Sequence, residues 1–204
     1  MSMNTLGTLF DSLARVKIMR LFLLNQESVL PASLVATRSN VSPAVARREL
    51  AILSRGGFIK RKKGQVEGKS KEGWIFDPRF EYTDSLQQLL FGTEFIDQSS
   101  LAKRFKKTGR VKLLLLSGIF NENPNSRLDL LLVGDSLKRP LVEKIIRSLE
   151  AEIGKEINYS AFETEEFMYR ASMYDKLIRD VIDFPHVALI SANNLLEQVP
   201  QNTI

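Results

Sequence analysis

Apolar positions in the first eighty residues recur at helical spacing, broken by short polar turns. In LARVKIMRLFLLN, beginning at Leu13, the residues Leu13, Val16, Met19, Phe22 and Leu23 fall on one side. This predicts a core helix capped by Asp11 or Ser12, with Arg15, Lys17 and Arg20 turned to solvent, after a frayed lead-in over Met1 to Gly7. Val29 and Leu30 suit a very short strand, and Pro31 can open a second helix carrying Leu34 and Val35. A third helix begins at Ser42-Pro43, because serine can accept an orphan amide bond and proline fits the first helical position. On its wheel Ala46, Leu50 and Leu53 share one side, while Ala44, Arg48 and Arg55 lie opposite with Arg47 flanking. Gly56 and Gly57 stop it. Phe58 and Ile59 open a strand, Lys60, Arg61, Lys62 and Lys63 lead to a Gly-rich tip, and Gly73 to Phe76 return.

Beyond Asp77-Pro78 the pattern predicts a connector helix through Leu86, Leu89, Leu90 and Phe91, capped by Thr83 or Asp84, and another from Ser99 or Ser100 to Lys107. The runs RVKLLLLSGIF and RLDLLLVGD are too short for buried helices and are bounded by turn chemistry, so they read as buried strands. A helix follows with Pro140 in its first turn and Leu141, Ile145, Leu149 and Ile153 at packing spacing, ending at Gly154. Then come a strand from Glu156 to Phe162, a helix capped by Thr164, a helix from Lys176 to Ile182 and a strand from Val187 to Ile190. The expected fold class is a two-domain α+β / α/β protein, with residues 1–95 forming helices and a hairpin and residues 96–204 a mixed sheet with helices.

Composition narrows the chemistry. With 204 residues and 44% hydrophobic residues the chain can bury proper cores. No run reaches the roughly 18 apolar residues of a membrane span, so the expectation is a cytoplasmic protein without membrane contact. There is no cysteine and one histidine, His186, which excludes disulfides and thiolate metal sites and argues against histidine clusters. The net charge is +5, but Arg38 to Lys71 holds ten basic residues against two acidic ones, so the remainder is net negative. That stretch is suited to a polyanion.

The order of helix, short helix, turn, helix ending in Gly-Gly-Phe-Ile, and basic hairpin resembles the winged helix-turn-helix of bacterial and archaeal transcription regulators. The pattern of Arg47 to Leu50, Leu53 and Gly56 to Ile59 is similar to a recognition helix and its exit into the wing. The resemblance spans about residues 12 to 80. It implies double-stranded DNA as partner, with Ser42, Ala44, Arg47, Arg48 and Arg55 on the helix and Lys60, Arg61, Lys62, Lys63, Lys69 and Lys71 on the wing. DNA is preferred to RNA because no interleaved aromatic platform occurs in the stretch. The plainer alternative is a solvated charged face. Lys103, Arg104, Lys106 and Lys107 are read as solvated rather than as part of the footprint.

The second half, about residues 99 to 190, resembles the nucleotidyltransferase fold of the DNA polymerase beta superfamily, in particular its minimal nucleotidyltransferases. The resemblance implies a Gly-Ser pair for triphosphate and two strand aspartates for metal ions. Here the pair stands reversed as Ser117-Gly118, Arg127 takes the place of the first aspartate, and Asp129 takes the second. On the later strand Asn158 or Ser160 points inward, with Glu156 and Glu163 at its ends. A guanidinium would repel Mg²⁺, so Arg127 is expected to pair with Asp129, and Ser117, Gly118 and Asp129 stand as vestigial candidates with no catalytic residue and no metal. Asp129 is read as a turn residue, Asn121, Asn123 and Asn125 as loop, His186 as turn or core, and Tyr159, Phe162, Phe167, Tyr169 and Tyr174 as core or interface.

The expectation is a DNA-binding transcriptional regulator without cofactor. Its nucleotidyltransferase-like half would sense a small-molecule or nucleotide effector, form a homodimer or bind a protein partner. The competing reading is an active nucleotidyltransferase using Mg²⁺ and an NTP, built on Asp129 with Glu122, Glu156 or Glu163. A third is an antitoxin or assembly factor.

Overall fold

Residue 12 begins the first core helix by the chemistry expected of a serine cap: its Oγ accepts the Arg15 amide at 3.1 Å. The computed structural model describes residues 3–66, 68–92, 96–121, 126–192 and 194–199. The lead-in is itself a helix, α1 (Met3–Leu9), which buries Leu6. After it come α2 (Leu13–Leu24), α3 (Ala32–Arg38), α4 (Pro43–Arg55), β1 (Ile59–Val66), β2 (Lys69–Phe76) and α5 (Thr83–Phe91). Leu30 forms only a bridge, exchanging backbone bonds with Trp74 at 2.8 and 3.0 Å.

Val16, Ile18 and Phe22 of α2 meet Val35, Ala46, Leu50, Phe58, Phe76 and Leu90 in one core. Phe58 stands edge-on to Phe76 and Phe80, with centroids 5.3 and 5.4 Å apart. Three α2 positions differ from the sequence reading, among them Arg15, which is part-buried against Glu49. Leu13, expected inside, is 40% exposed. Arg20, expected outside, is 2% exposed. Its Nε and one terminal nitrogen donate to the Leu90 carbonyl at 3.0 and 2.5 Å, and the other donates to the Glu152 carbonyl at 2.8 Å. Both acceptors lie in last turns of helices, where carbonyls lack intrahelical partners. Burial presses the guanidinium pKa down to about 10 while the Glu152 charge raises it, so it stays cationic at neutral pH.

The second half contains α6 (Gln98–Lys106), β3 (Arg110–Leu116), a 3-10 turn (Gly118–Phe120), β4 (Leu130–Asp135), α7 (Arg139–Ile153), β5 (Tyr159–Phe162), α8 (Thr164–Ser172), α9 (Lys176–Ile182) and β6 (Val187–Ser191). Its sheet runs β5-β4-β3-β6, with β4 parallel to β5 and the other pairs antiparallel. The central strands are buried continuously at Leu113 to Leu116 and Leu130 to Val133, which is why their sequences show apolar runs rather than alternation. Phe167 and Ala171 of α8 and Ile178 and Val181 of α9 pack in one core with Leu113, Leu115, Leu131 and Val133.

Among the described residues the protein is therefore a mixed α+β chain with nine α-helices and two sheets. Packing divides it into two compact units, Met1–Asp97 with Arg147–Glu156, and Gln98–Ile146 with Ile157–Ile204. The second half of α7 thus groups with the N-terminal elements. Among the described residues no helix is long and apolar enough to cross a membrane. Two boundaries move. The strand expected from Glu156 begins only at Tyr159, because the preceding backbone is used by Asp129 instead. Glu163, not Thr164, occupies the cap of α8, while the Thr164 hydroxyl donates to Asp135 at 2.6 Å.

Candidate nucleic-acid interface

Helix α4 starts as its sequence dictates, with the Ser42 Oγ accepting the Val45 amide at 3.3 Å and Pro43 in the first turn. Gly56 closes it and Gly57 follows at φ 75°, a conformation that suits glycine. Ala46, Leu50 and Leu53 are buried, while Ala44, Arg47, Arg48, Ala51 and Arg55 are exposed. The outer face thus alternates arginine with two alanines, and the small residues leave backbone and guanidinium groups open to close approach. Ser42 is exposed at the helix start.

Glu49 is a component that the sequence reading passed over. It sits on the packed side of α4, fully buried, with three donors around its carboxylate. Ser12 Oγ and an Arg48 terminal nitrogen reach Oε1 at 2.9 and 3.0 Å, and Arg15 Nε reaches Oε2 at 2.9 Å. Arg15 also donates to the Phe10 carbonyl at 2.8 Å. Burial raises the pKa of Glu49, but the bonds from Ser12, Arg48 and Arg15 together outweigh it and hold the group below its usual value. The signal was present in the sequence as a lone carboxylate within the Ala46, Leu50 and Leu53 stripe.

The hairpin after α4 pairs in strict register, from Ile59 opposite Phe76 to Val66 opposite Lys69. Strand alternation then places Lys60, Lys62, Lys69 and Lys71 on one face and Arg61 and Lys63 on the other. The six wing cations therefore do not form one row. Arg61 lies 5.1 Å from the centroid of Trp74 and 3.9 Å from Glu72. Lys60 donates to Asp77 at 3.1 Å. Lys62, Lys63, Lys69, Arg47 and Arg55 have no ion-pair partner among the described residues. Gly73 has a structural reason: a Cβ there would stand 2.7 Å from the Leu30 carbonyl carbon. Glu67 lies outside the described residues.

Asp77 fixes the end of the hairpin. Arg79 donates to it from its side chain and its amide, and Lys60 adds a third group, which together hold the carboxyl far below the usual range. Carboxylates in the unfolded chain titrate near pH 4, so below about that pH the unfolded state binds more protons than the folded one. The contribution of Glu49 and Asp77 is therefore full above that pH and is lost as pH falls. The urea midpoint should be flat from about pH 7 to 5 and decline towards pH 3. A smaller decline is expected in Glu49→Gln and Asp77→Asn, and an unchanged slope in both variants would refute the assignment.

The second unit places Ser117, Gly118 and Asp129 together, with both Asp129 oxygens taken by backbone amides. Asp129 is 4% exposed; its Oδ1 accepts the Ile119 amide at 2.8 Å and its Oδ2 the Asn158 amide at 2.9 Å. Gly118 holds φ 54°, and a Cβ there would collide with the Asp129 carboxylate. Ser117 Oγ lies 3.1 Å from Ser126 Oγ. The expected Arg127 to Asp129 pair is not formed: Arg127 projects outward and binds Asp180 at 2.7 Å, because both Asp129 oxygens already face amides. Asn158 is exposed and contributes its main chain rather than an inward side chain.

Glu163 accepts the Ser136 and Leu137 amides at 3.1 and 3.4 Å, and Glu156 is exposed near Arg38 at 3.8 Å. Glu122, Asn123 and Asn125 lie outside the described residues. Among the described residues no three acidic or histidine side chains converge as a metal site. His186 sits in the turn before β6, its Nδ1 2.9 Å from the Phe184 carbonyl. Phe162 and Phe167 are core, whereas Tyr169 and Tyr174 are exposed. No family model, curated protein or solved structure matches the chain.

Proposed function

We propose that this protein is a transcriptional regulator that binds double-stranded DNA through a winged helix-turn-helix, with α4 as recognition helix and the β1-β2 hairpin as wing. The observation that supports the reading is the exposed face of α4, Ala44, Arg47, Arg48, Ala51 and Arg55, followed directly by a hairpin whose Lys62, Lys63 and Lys69 lack ion-pair partners among the described residues. A helix inserted in the major groove presents arginine to guanine edges and alanine to thymine methyls, while wing lysines neutralise phosphates. Residues 96–204 would serve as the nucleotidyltransferase-like, non-catalytic half, for effector sensing, dimerisation or partner binding.

Affinity for duplex DNA should fall steeply with salt, the logarithm of the binding constant declining linearly with the logarithm of salt concentration. Arg47→Ala with Arg48→Ala should weaken binding by about 1–3 kcal/mol for each arginine–base interaction removed. Fluorescence anisotropy with a labelled duplex measures both, and unchanged binding in the double variant would sink the recognition-helix assignment.

A further inference from the structure

Arg47 and Arg48 are adjacent in sequence and both exposed, yet the structure treats them differently. At about 100° per residue Ala44, Arg48, Ala51 and Arg55 fall within an arc of about 60°, and Arg47 lies outside it on one flank. Ala44 and Arg55 are thus at the centre of the outer face, and Arg48 is at its edge on the side of Glu49. One of its terminal nitrogens is held at 3.0 Å by Glu49, while its side chain remains 66% exposed. Neighbouring helical residues do not face each other, so this bond requires the Arg48 side chain to bend towards the packed side. The carboxylate it meets is buried, and Ser12 and Arg15 of α2 hold both of its oxygens at 2.9 Å.

Resting on the DNA-binding reading, we propose that Arg48 is the base-reading arginine, selective for guanine, that buried Glu49 is its positioning residue, and that Arg47 is a phosphate contact. A guanidinium fixed at one nitrogen keeps its remaining donors in a planar fork, the shape that matches the O6 and N7 acceptors of guanine. Its rotamer freedom is spent before binding, so discrimination between bases is sharpened. Arg47, with no ion-pair partner among the described residues and placed at the flank, meets the groove wall, where backbone phosphates lie.

The test begins with selection of sites from a randomised duplex pool by the full-length wild-type chain, followed by binding of the selected duplex and of single-base variants across a salt series. Arg48→Lys keeps the charge and removes the fork; it should lose about 10- to 100-fold of the preference for one guanine in the selected site, with the salt slope unchanged. Arg47→Ala should weaken all sequences alike and reduce the salt slope by about 1, with the base preference intact. Glu49→Gln should relax the same guanine preference as Arg48→Lys without altering the salt slope, a change that general loosening of the fold would not confine to one base position. Circular dichroism confirms that each variant is folded. If Glu49→Gln is unfolded, Ser12→Ala, which removes one of the bonds orienting the carboxylate, takes its place and should relax the same position. Preference lost in Arg47→Ala and kept in Arg48→Lys overturns the division of roles. Full preference in the folded carboxylate or Ser12 variant overturns the positioning role. A wild-type chain that enriches no duplex at all would instead count against the DNA-binding reading itself.

Discussion

Replacing Arg20 with alanine should lower the stability of the first unit by about 3–5 kcal/mol, among the largest effects of any single substitution in the chain. The change strips the Leu90 and Glu152 carbonyls of charged donors at 2.5 to 3.0 Å in a site where the side chain is 2% exposed. Each buried carbonyl left unpaired costs about 1–3 kcal/mol, and the vacated volume adds a cavity term. Trp74 is the sole tryptophan and lies in β2, so its fluorescence in urea reports on the unit that contains Arg20. Arg20→Met separates the two contributions. It refills the volume and leaves the carbonyls bare, so it should recover only part of the loss. A shift below about 1 kcal/mol in the alanine variant would contradict the capping role, since that is less than the cost of one missing buried bond.

Asp129→Ala should cost about 2–5 kcal/mol, because it orphans two buried amides at once, those of Ile119 and Asn158. Asp129→Asn should remain destabilised despite its shape, since the carboxamide must turn its NH₂ towards one of the two donors. The urea transition followed by far-UV circular dichroism gives the cost. The same variant separates structure from chemistry. If the competing nucleotidyltransferase reading were right, the wild type would transfer label from an NTP with Mg²⁺ and Asp129→Ala would abolish that transfer under conditions where the variant is still folded. A large loss of stability, with no Asp129-dependent transfer in the wild type, is the expected outcome.

Element type and position were legible wherever one force dominated. The Ser42-Pro43 start and Gly56-Gly57 stop defined α4 to the residue, because cap chemistry is local. The runs around Leu113 to Leu116 and Leu130 to Val133 gave β3 and β4 because strands covered on both faces have no reason to alternate. The candidate recognition face was legible for the same reason, since helical period alone separates Ala46, Leu50 and Leu53 from Arg48 and Arg55. Leu6 in α1 was missed because seven residues carry too little period to distinguish a helix from a frayed end.

By itself, then, the sequence determined the helices from α2 onward, the hairpin, the buried strands and the concentration of positive charge between Arg38 and Lys71, all of which follow from spacing and composition along a short segment. Only the tertiary structure decided which charged groups are partners. Arg20 turned inward to cap helix ends contributed from residues 90 and 152, Arg127 chose Asp180 over Asp129, and Glu49 gathered Ser12 and Arg15 from α2 and its own neighbour Arg48. The physical reason is that a long charged side chain gains most by satisfying a buried polar group with no other partner, and which groups those are depends on where distant segments meet.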